Sequence, residues 1–116
     1  MRALIVVAVV CFLAGCGAPS MGELRGWGSN QAFGSKKTSS QLSKCVQGAW
    51  QSQSAADGSP GSYVQSWGNT GYTVVTKGSH YFVDIDDSPS GSMAKFYVVV
   101  SDTIAKNRLS SLQGCL

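Results

Sequence analysis

The chain has 116 residues, enough for one small domain but not for several. Nine basic residues against six acidic ones give a net charge of +3, and the basic residues are scattered, which argues against nucleic acid as a partner. A single histidine leaves few groups for acid–base catalysis. The sequence also contains no phosphate-binding loop, nucleophile elbow or Cys–His pair.

The N-terminal segment has the layout of an export signal. Arg2 is followed by an unbroken apolar run over residues 3–14. This run is shorter than the about 20 residues that a membrane-spanning helix needs. It has the length of the apolar core of a signal peptide, about 7–15 residues. We therefore expect export; the alternative is a buried helix or strand of a cytosolic domain.

The end of this run, Leu13-Ala14-Gly15-Cys16, resembles the lipobox of bacterial lipoproteins. The resemblance implies that the Cys16 thiol carries a diacylglyceryl group and that residues 1–15 are removed as a signal peptide. In a Gram-negative cell, Gly17 in place of an aspartate implies the outer membrane, with the domain facing the periplasm. Several acyl chains, such as palmitate, on one cysteine would anchor the protein stably. The resemblance says nothing about the rest of the chain.

Residues 16–37 are interpreted as a lipidated flexible tether, because glycines interrupt any regular period and small polar residues fill the gaps. Trp27 and Phe33 are unusual in a free linker. They could dock on the domain or contact lipid headgroups, or the segment could be a partly ordered lead-in. The folded domain is expected over residues 38–116.

Two helices and four strands are predicted in this domain. An apolar stripe at helical spacing, from Leu42 to Trp50, predicts a helix over residues 38–51. Residues 52–61 have the composition of a loop. Turn-forming residues separate strand candidates at 62–67, 71–77, 79–86 and 92–100. A second helix is predicted over 102–113, with Arg108 toward its C-terminal end.

The remaining cysteines form a single pair. Cys11 lies in the signal segment and Cys16 takes the lipid, so Cys45 and Cys115 are left in an oxidising compartment. We predict a disulfide between them, with Cys45 facing the core. The alternative is a reactive or metal-binding pair, but neither thiol has a second Cys or His close in sequence.

The fold class predicted is α+β: a helix, a four-stranded antiparallel meander and a helix, with both helices on one sheet face. The short connections favour antiparallel strands. The domain resembles small Gram-negative lipoproteins of unknown function, some of them prophage-encoded. The matching segments are Cys45-Val46-Gln47-Gly48-Ala49-Trp50, Gly71-Tyr72-Thr73-Val74, Val83-Asp84-Ile85-Asp86 and Ser90-Gly91-Ser92. That resemblance implies no activity.

One strand carries the best candidate site for chemistry. Side chains alternate on a strand, so His80, Phe82, Asp84 and Asp86 would share one face. A histidine and two carboxylates could hold a divalent metal with help from neighbouring strands. The simpler interpretation is the solvent-facing side of a half-covered sheet. We adopt it and expect neither a metal nor another cofactor.

The sequence thus predicts a non-enzymatic, lipid-anchored module that binds another envelope component, protein or glycan, or supports the envelope. Its first expected partner is the membrane itself. Two alternatives stay open at this point. One is a small enzyme or metal-binding protein around His80, Asp84 and Asp86, and the other is an inhibitor of a periplasmic enzyme.

Overall fold

The computed structural model describes residues 19–116, so Cys16 and the apolar run lie outside the described residues. The described chain forms three helices and one five-stranded sheet, an α+β fold. In chain order the elements are α1 Met21–Trp27, β1 Gln31–Ser35, α2 Ser39–Asp57, β2 Ser62–Trp67, β3 Gly71–Thr76, β4 Tyr81–Ser88, β5 Gly91–Val98 and α3 Thr103–Cys115. No helix among residues 19–116 is long and apolar enough to cross a membrane.

All strands of the sheet are antiparallel, in the order β1-β5-β4-β3-β2. The four strands from β2 to β5 are the predicted meander, and their ends lie within two residues of the predicted bounds. The prediction of four strands was one strand short. The fifth, β1, pairs with β5 at the far edge.

Strand β1 lies in the segment that was interpreted as tether. Its only large apolar side chain, Phe33, packs against the core, and Ser35 donates a hydrogen bond to the Leu116 carbonyl (3.1 Å). Gly91 allows the close approach of the two strands, because a Cβ there would collide with the backbone of Ser35 and Lys36. The β5 edge therefore orders a segment whose own pattern is too short to signal a strand.

Helix α1 also lies in that segment. Its N-terminus is closed by a capping box, in which the Ser20 hydroxyl accepts from the Glu23 amide (3.1 Å) and the Glu23 carboxylate accepts from the Ser20 amide. Leu24 is buried on the sheet. Over its described part, the segment read as a flexible tether thus consists largely of a docked helix and an edge strand.

Helix α2 is longer than predicted, since residues 52–57 continue it rather than forming a loop. The hydroxyls of Ser52 and Ser54 donate to carbonyls four residues earlier, so these two side chains find their acceptors within the helix itself. The helix ends at Gly58, whose φ of 75° is the left-handed conformation that glycine adopts without strain.

The two faces of the sheet differ in what covers them. We call the face packed against α2 and α3 the inner face; it contributes Val74, Val83 and Phe96 to the main core. Trp50 of α2 meets Phe96 edge-on, with ring centroids 6.3 Å apart. The opposite side, the outer face, carries Val75, Phe82 and Tyr97 beneath α1. Both long helices thus contribute side chains to the core on the inner face, and the short helix covers part of the outer face.

The structure contains the predicted disulfide, which joins α2 to α3 with 5.9 Å between the Cα atoms of Cys45 and Cys115. Cys115 is buried, but Cys45 is exposed, contrary to the expectation that it faces the core. The reason lies in the helix geometry: Leu42, Val46 and Trp50 take the buried stripe of α2, and Cys45 lies at its border.

Candidate functional site

The candidate residues His80, Asp84 and Asp86 are not brought together in one site. His80 lies exposed in the turn before β4, outside the strand. Asp84 and Asp86 share the outer face of β4 as predicted. Residues 19–116 contain no group of three metal-ligating side chains close enough to hold an ion.

The outer face is also not the bare solvent face that the alternation of β4 indicated. Phe82 is fully buried and Asp84 is 2% exposed. Helix α1 causes this burial by supplying Leu24 to the apolar cluster and Arg25 to the carboxylate of Asp84. The sequence prediction missed this because nothing in the local pattern of β4 reports on a helix some sixty residues earlier in the chain.

Arg25 and Asp84 form a two-pronged ion pair. The Nε and Nη2 atoms of Arg25 donate to Oδ2 and Oδ1 of Asp84, both at 2.8 Å. Thr73 of β3 donates its hydroxyl to Asp84 Oδ1 at 2.6 Å and accepts from Arg25 at 3.2 Å. The Asp84 carboxylate raises the pKa of Arg25. Because this network engages both carboxylate oxygens, the Asp84 side chain has a structural role.

Aromatic rings enclose the guanidinium of Arg25. Its Cζ lies 3.9 Å from the centroid of the Trp67 ring and 5.1 Å from that of Phe82. Phe82 stacks on Tyr97 with 4.6 Å between centroids, and burial raises the pKa of the Tyr97 hydroxyl. We call Arg25, Asp84, Thr73, Trp67 and Phe82 the α1 clamp, since together they fasten α1 to the sheet.

The second polar cluster near His80 joins β4 to α3. The Tyr81 hydroxyl donates to Asp102 Oδ2 at 2.5 Å, while Asp102 Oδ1 caps α3 by accepting from the Ala105 amide at 2.8 Å. Burial, and then the Asp102 carboxylate, raise the pKa of Tyr81 to about 12. The hydrogen bond from Tyr81 lowers the pKa of Asp102. At neutral pH this pair is a cap and not an acid–base couple.

Arg108 of α3 is a fully buried cation that the sequence reasoning placed only near a helix end. Six acceptors, all uncharged, lie within hydrogen-bond distance of its five N–H groups: the Thr76, Gln53, Ser54 and Ser59 side chains and the carbonyls of Trp50 and Pro60. Burial lowers the pKa of Arg108. Its burial could have been predicted from the sequence by its spacing, because Ala105, Arg108 and Leu112 lie on one buried face of α3.

Several exposed apolar side chains lie on the outer face. Among residues 19–116, five large hydrophobic side chains are exposed, and three of them belong to this side of the sheet. These are Trp27 at the end of α1 (71% exposed), Tyr63 on β2 (42%) and Met93 on β5 (39%). Tyr63 pairs with the outer-face residue Val75, and Met93 with Asp86, which fixes the face on which each lies.

Strand β2 forms an open edge of the sheet. The Lys77 amide donates to the Gly61 carbonyl (2.8 Å), so by alternation Ser62, Val64 and Ser66 turn their backbone groups away from β3. Helix α2 closes the first of these positions. Gln51 accepts from the Ser62 amide (2.9 Å), and Gln47 donates to the Ser62 carbonyl (3.3 Å). Val64 and Ser66 remain as two outward backbone positions on a strand without charge or proline.

No family model, curated protein or solved structure matches this chain.

Proposed function

We propose that this chain is an outer-membrane lipoprotein whose periplasmic domain is a non-enzymatic module that binds another envelope protein. The observation that carries the proposal is the sequence Leu13-Ala14-Gly15-Cys16 at the end of an apolar run. A crosslinked domain follows it within a few residues, since helix α1 begins at Met21. A lipid on Cys16 would hold this domain close to the membrane surface.

The polar clusters support a binding role over an enzymatic one. The carboxylates of Asp84 and Asp102 are each engaged in fixed structural contacts, and His80 stands apart from Asp84 and Asp86. A catalytic constellation needs a nucleophile or base with a free lone pair aimed at a shared point. These contacts instead hold helices onto a sheet.

The β2 edge is the surface that we assign to the partner. Exposed sheet edges accept an extended segment through backbone hydrogen bonds, and charged residues or prolines normally block such pairing. Strand β2 has neither, and Val64 and Ser66 offer their amides and carbonyls outward. Tyr63 and Val64, both exposed, flank the edge on its two faces and would contact alternate side chains of an added strand.

One experiment tests anchoring and binding together. A photo-crosslinking amino acid replaces Val64 in cells that carry either the intact Cys16 or the Cys16→Ser substitution. With Cys16 intact, we expect a mature mass of residues 16–116 plus acyl chains and one discrete protein adduct. With Cys16→Ser, we expect an unprocessed or mislocalised precursor and loss of the adduct, because the domain no longer reaches the outer membrane.

The matched control places the same crosslinker at Ala56, an exposed position on the side of α2 that carries Cys45 and turns toward α3 instead of β2, where no adduct is expected. A mature mass without lipid contradicts the anchoring. An adduct with a second copy of the chain, or the same adduct from position 56, contradicts pairing with another protein at β2. An adduct with an envelope enzyme that loses activity in the complex would identify the module as an inhibitor.

A further inference from the structure

The distance between the proposed lipid site and the folded domain is short. Five residue steps separate Cys16 from Met21, the first residue of α1. A fully extended chain advances at most about 3.3–3.6 Å per residue, so the Cys16 backbone lies within about 18 Å of α1 whatever path it takes. A domain of about 100 residues has a radius of gyration of about 13 Å, so this reach is less than its diameter.

The short reach restricts which side of the domain can meet the membrane. Helix α1 is fastened to the outer face by Leu24 and by the α1 clamp, with Arg25 bonded to Asp84 at 2.8 Å. It cannot swing away without exposing Phe82 and Asp84, which are buried beneath it. The side of the domain that carries α1 is therefore the side nearest to an anchor on Cys16.

The side chains exposed on that side suit a membrane interface. Trp27 and Tyr63 are the residue types that prefer the headgroup region, because each joins an apolar ring to a polar N–H or O–H group. Met93 adds an apolar side chain on the same face. Trp27, at 71% exposure, has the least protein around it and is closest along the chain to Cys16.

Among the described residues, the outer face carries no cluster of positive charge, since Arg25 is paired with Asp84. Lys95 is exposed there, Glu23 is exposed on α1, and Asp86 is partly exposed. Contact with a bilayer would therefore depend on apolar insertion and not on attraction to anionic lipids.

We infer that the outer face of the domain lies against the phospholipid leaflet that holds the anchor, with the Trp27 ring in the headgroup region. This inference rests on the proposed lipidation of Cys16. In this orientation the β2 edge is at the side of the domain, where a partner protein at the membrane surface can reach it. The lipid anchor is then the first membrane contact, and Trp27 is a second one that fixes the orientation of the domain.

The test uses the mature lipidated protein in phosphatidylcholine vesicles whose acyl chains carry bromine on carbons close to the headgroup, where it is a contact quencher of tryptophan fluorescence. The Trp27 signal is the difference between the wild type and Trp27→Phe, since Trp50 and Trp67 are common to both. Bromine should quench most of this difference signal, and replacing part of the phosphatidylcholine with an anionic lipid should leave the quenching unchanged.

The matched control is Trp27→Phe combined with Ala55→Trp, which moves an exposed tryptophan to α2 on the other side of the sheet. The signal of the tryptophan at position 55 is the difference between this variant and Trp27→Phe, and bromine should leave that difference unquenched. If the protein floats with the vesicles and carries its acyl mass but Trp27 is not quenched, the orientation is overturned while the anchoring stands. Equal quenching at positions 27 and 55 overturns it too, and a mature mass without lipid overturns both proposals.

Discussion

At the scale of single residues, Arg108 is the side chain whose role depends most on the complete fold. Its donors reach α2, the loop after α2 and strand β3. Lysine at this position would keep the charge but lose the planar fork, leaving acceptors unpaired and a desolvated cation. We expect Arg108→Lys to lower the free energy of unfolding by about 3 kcal/mol or more, measured by urea denaturation.

The control for this substitution is Lys106→Met, an exposed change on the same helix, which should stay within about 0.5 kcal/mol of the wild type. Equal stability of Arg108→Lys and the wild type would show that the hydrogen bonds of the guanidinium contribute little.

From residue patterns, the side chains that point into the core could be predicted, whereas the polar contacts could not. The alternation in β4 correctly places Val83 and Ile85 in the core, because a single covered face is enough to specify it. It could not show that Asp84 is buried, since the covering residue, Arg25, comes from a segment whose composition resembles a linker. Partners distant in sequence leave no periodic signal at either position.

At the scale of elements, helix α1 is the part of the fold that sequence reasoning missed. Two glycines lower its helix propensity, and its seven residues are too few for an apolar period. The usable signal was the spacing of Ser20 and Glu23, which matches a capping box. The helix is stable where it is because the sheet supplies both an apolar surface and the Asp84 carboxylate.

A double-mutant cycle measures how firmly the clamp holds α1. Arg25→Met leaves Asp84 buried with only Thr73 as a partner, so we expect a loss of about 3 kcal/mol in unfolding free energy. Adding Asp84→Asn removes the uncompensated charge and should restore part of that loss, with a coupling energy of at least about 1 kcal/mol. Urea denaturation of the four proteins gives the value.

Lys95→Met, which alters an exposed charge on the same face, is the control and should change stability little. Additive effects of Arg25→Met and Asp84→Asn would mean that the ion pair does not fasten the helix.

At the scale of the whole domain, the segment that precedes the meander contacts the helix that follows it. Short connections and turn residues predicted β2 to β5 and their antiparallel order, because neighbouring strands joined by short loops have few other topologies. The contact between the two ends of the domain, which closes the fold, was not predictable in full. Strand β1 and the C-terminus of α3 meet through Ser35 and through Lys37, which donates to the Cys115 carbonyl, contacts between residues some eighty positions apart.

The disulfide completes this closure, and its removal tests how far stability depends on it. It joins residues 70 positions apart, which on the chain-entropy model corresponds to about 4 kcal/mol. Reduction should therefore lower the unfolding free energy by about 2–4 kcal/mol, the usual range for native disulfides. For a domain of this size, that is a fall in Tm of about 10 °C or more. Because the Cys45 side is exposed, a thiol reductant should reach the bond in the folded protein.

The measurement compares thermal unfolding with and without dithiothreitol in the wild type and in Cys45→Ala/Cys115→Ala. The double variant has the same helices and sheet but no crosslink, so its Tm should match that of the reduced wild type and should not respond to the reductant. Oxidised and reduced wild type that melt together would mean that the contacts at β1, α2 and α3 close the fold without the bond. A double variant far less stable than the reduced protein would instead assign the loss to packing around Cys115, which is buried, and not to the crosslink.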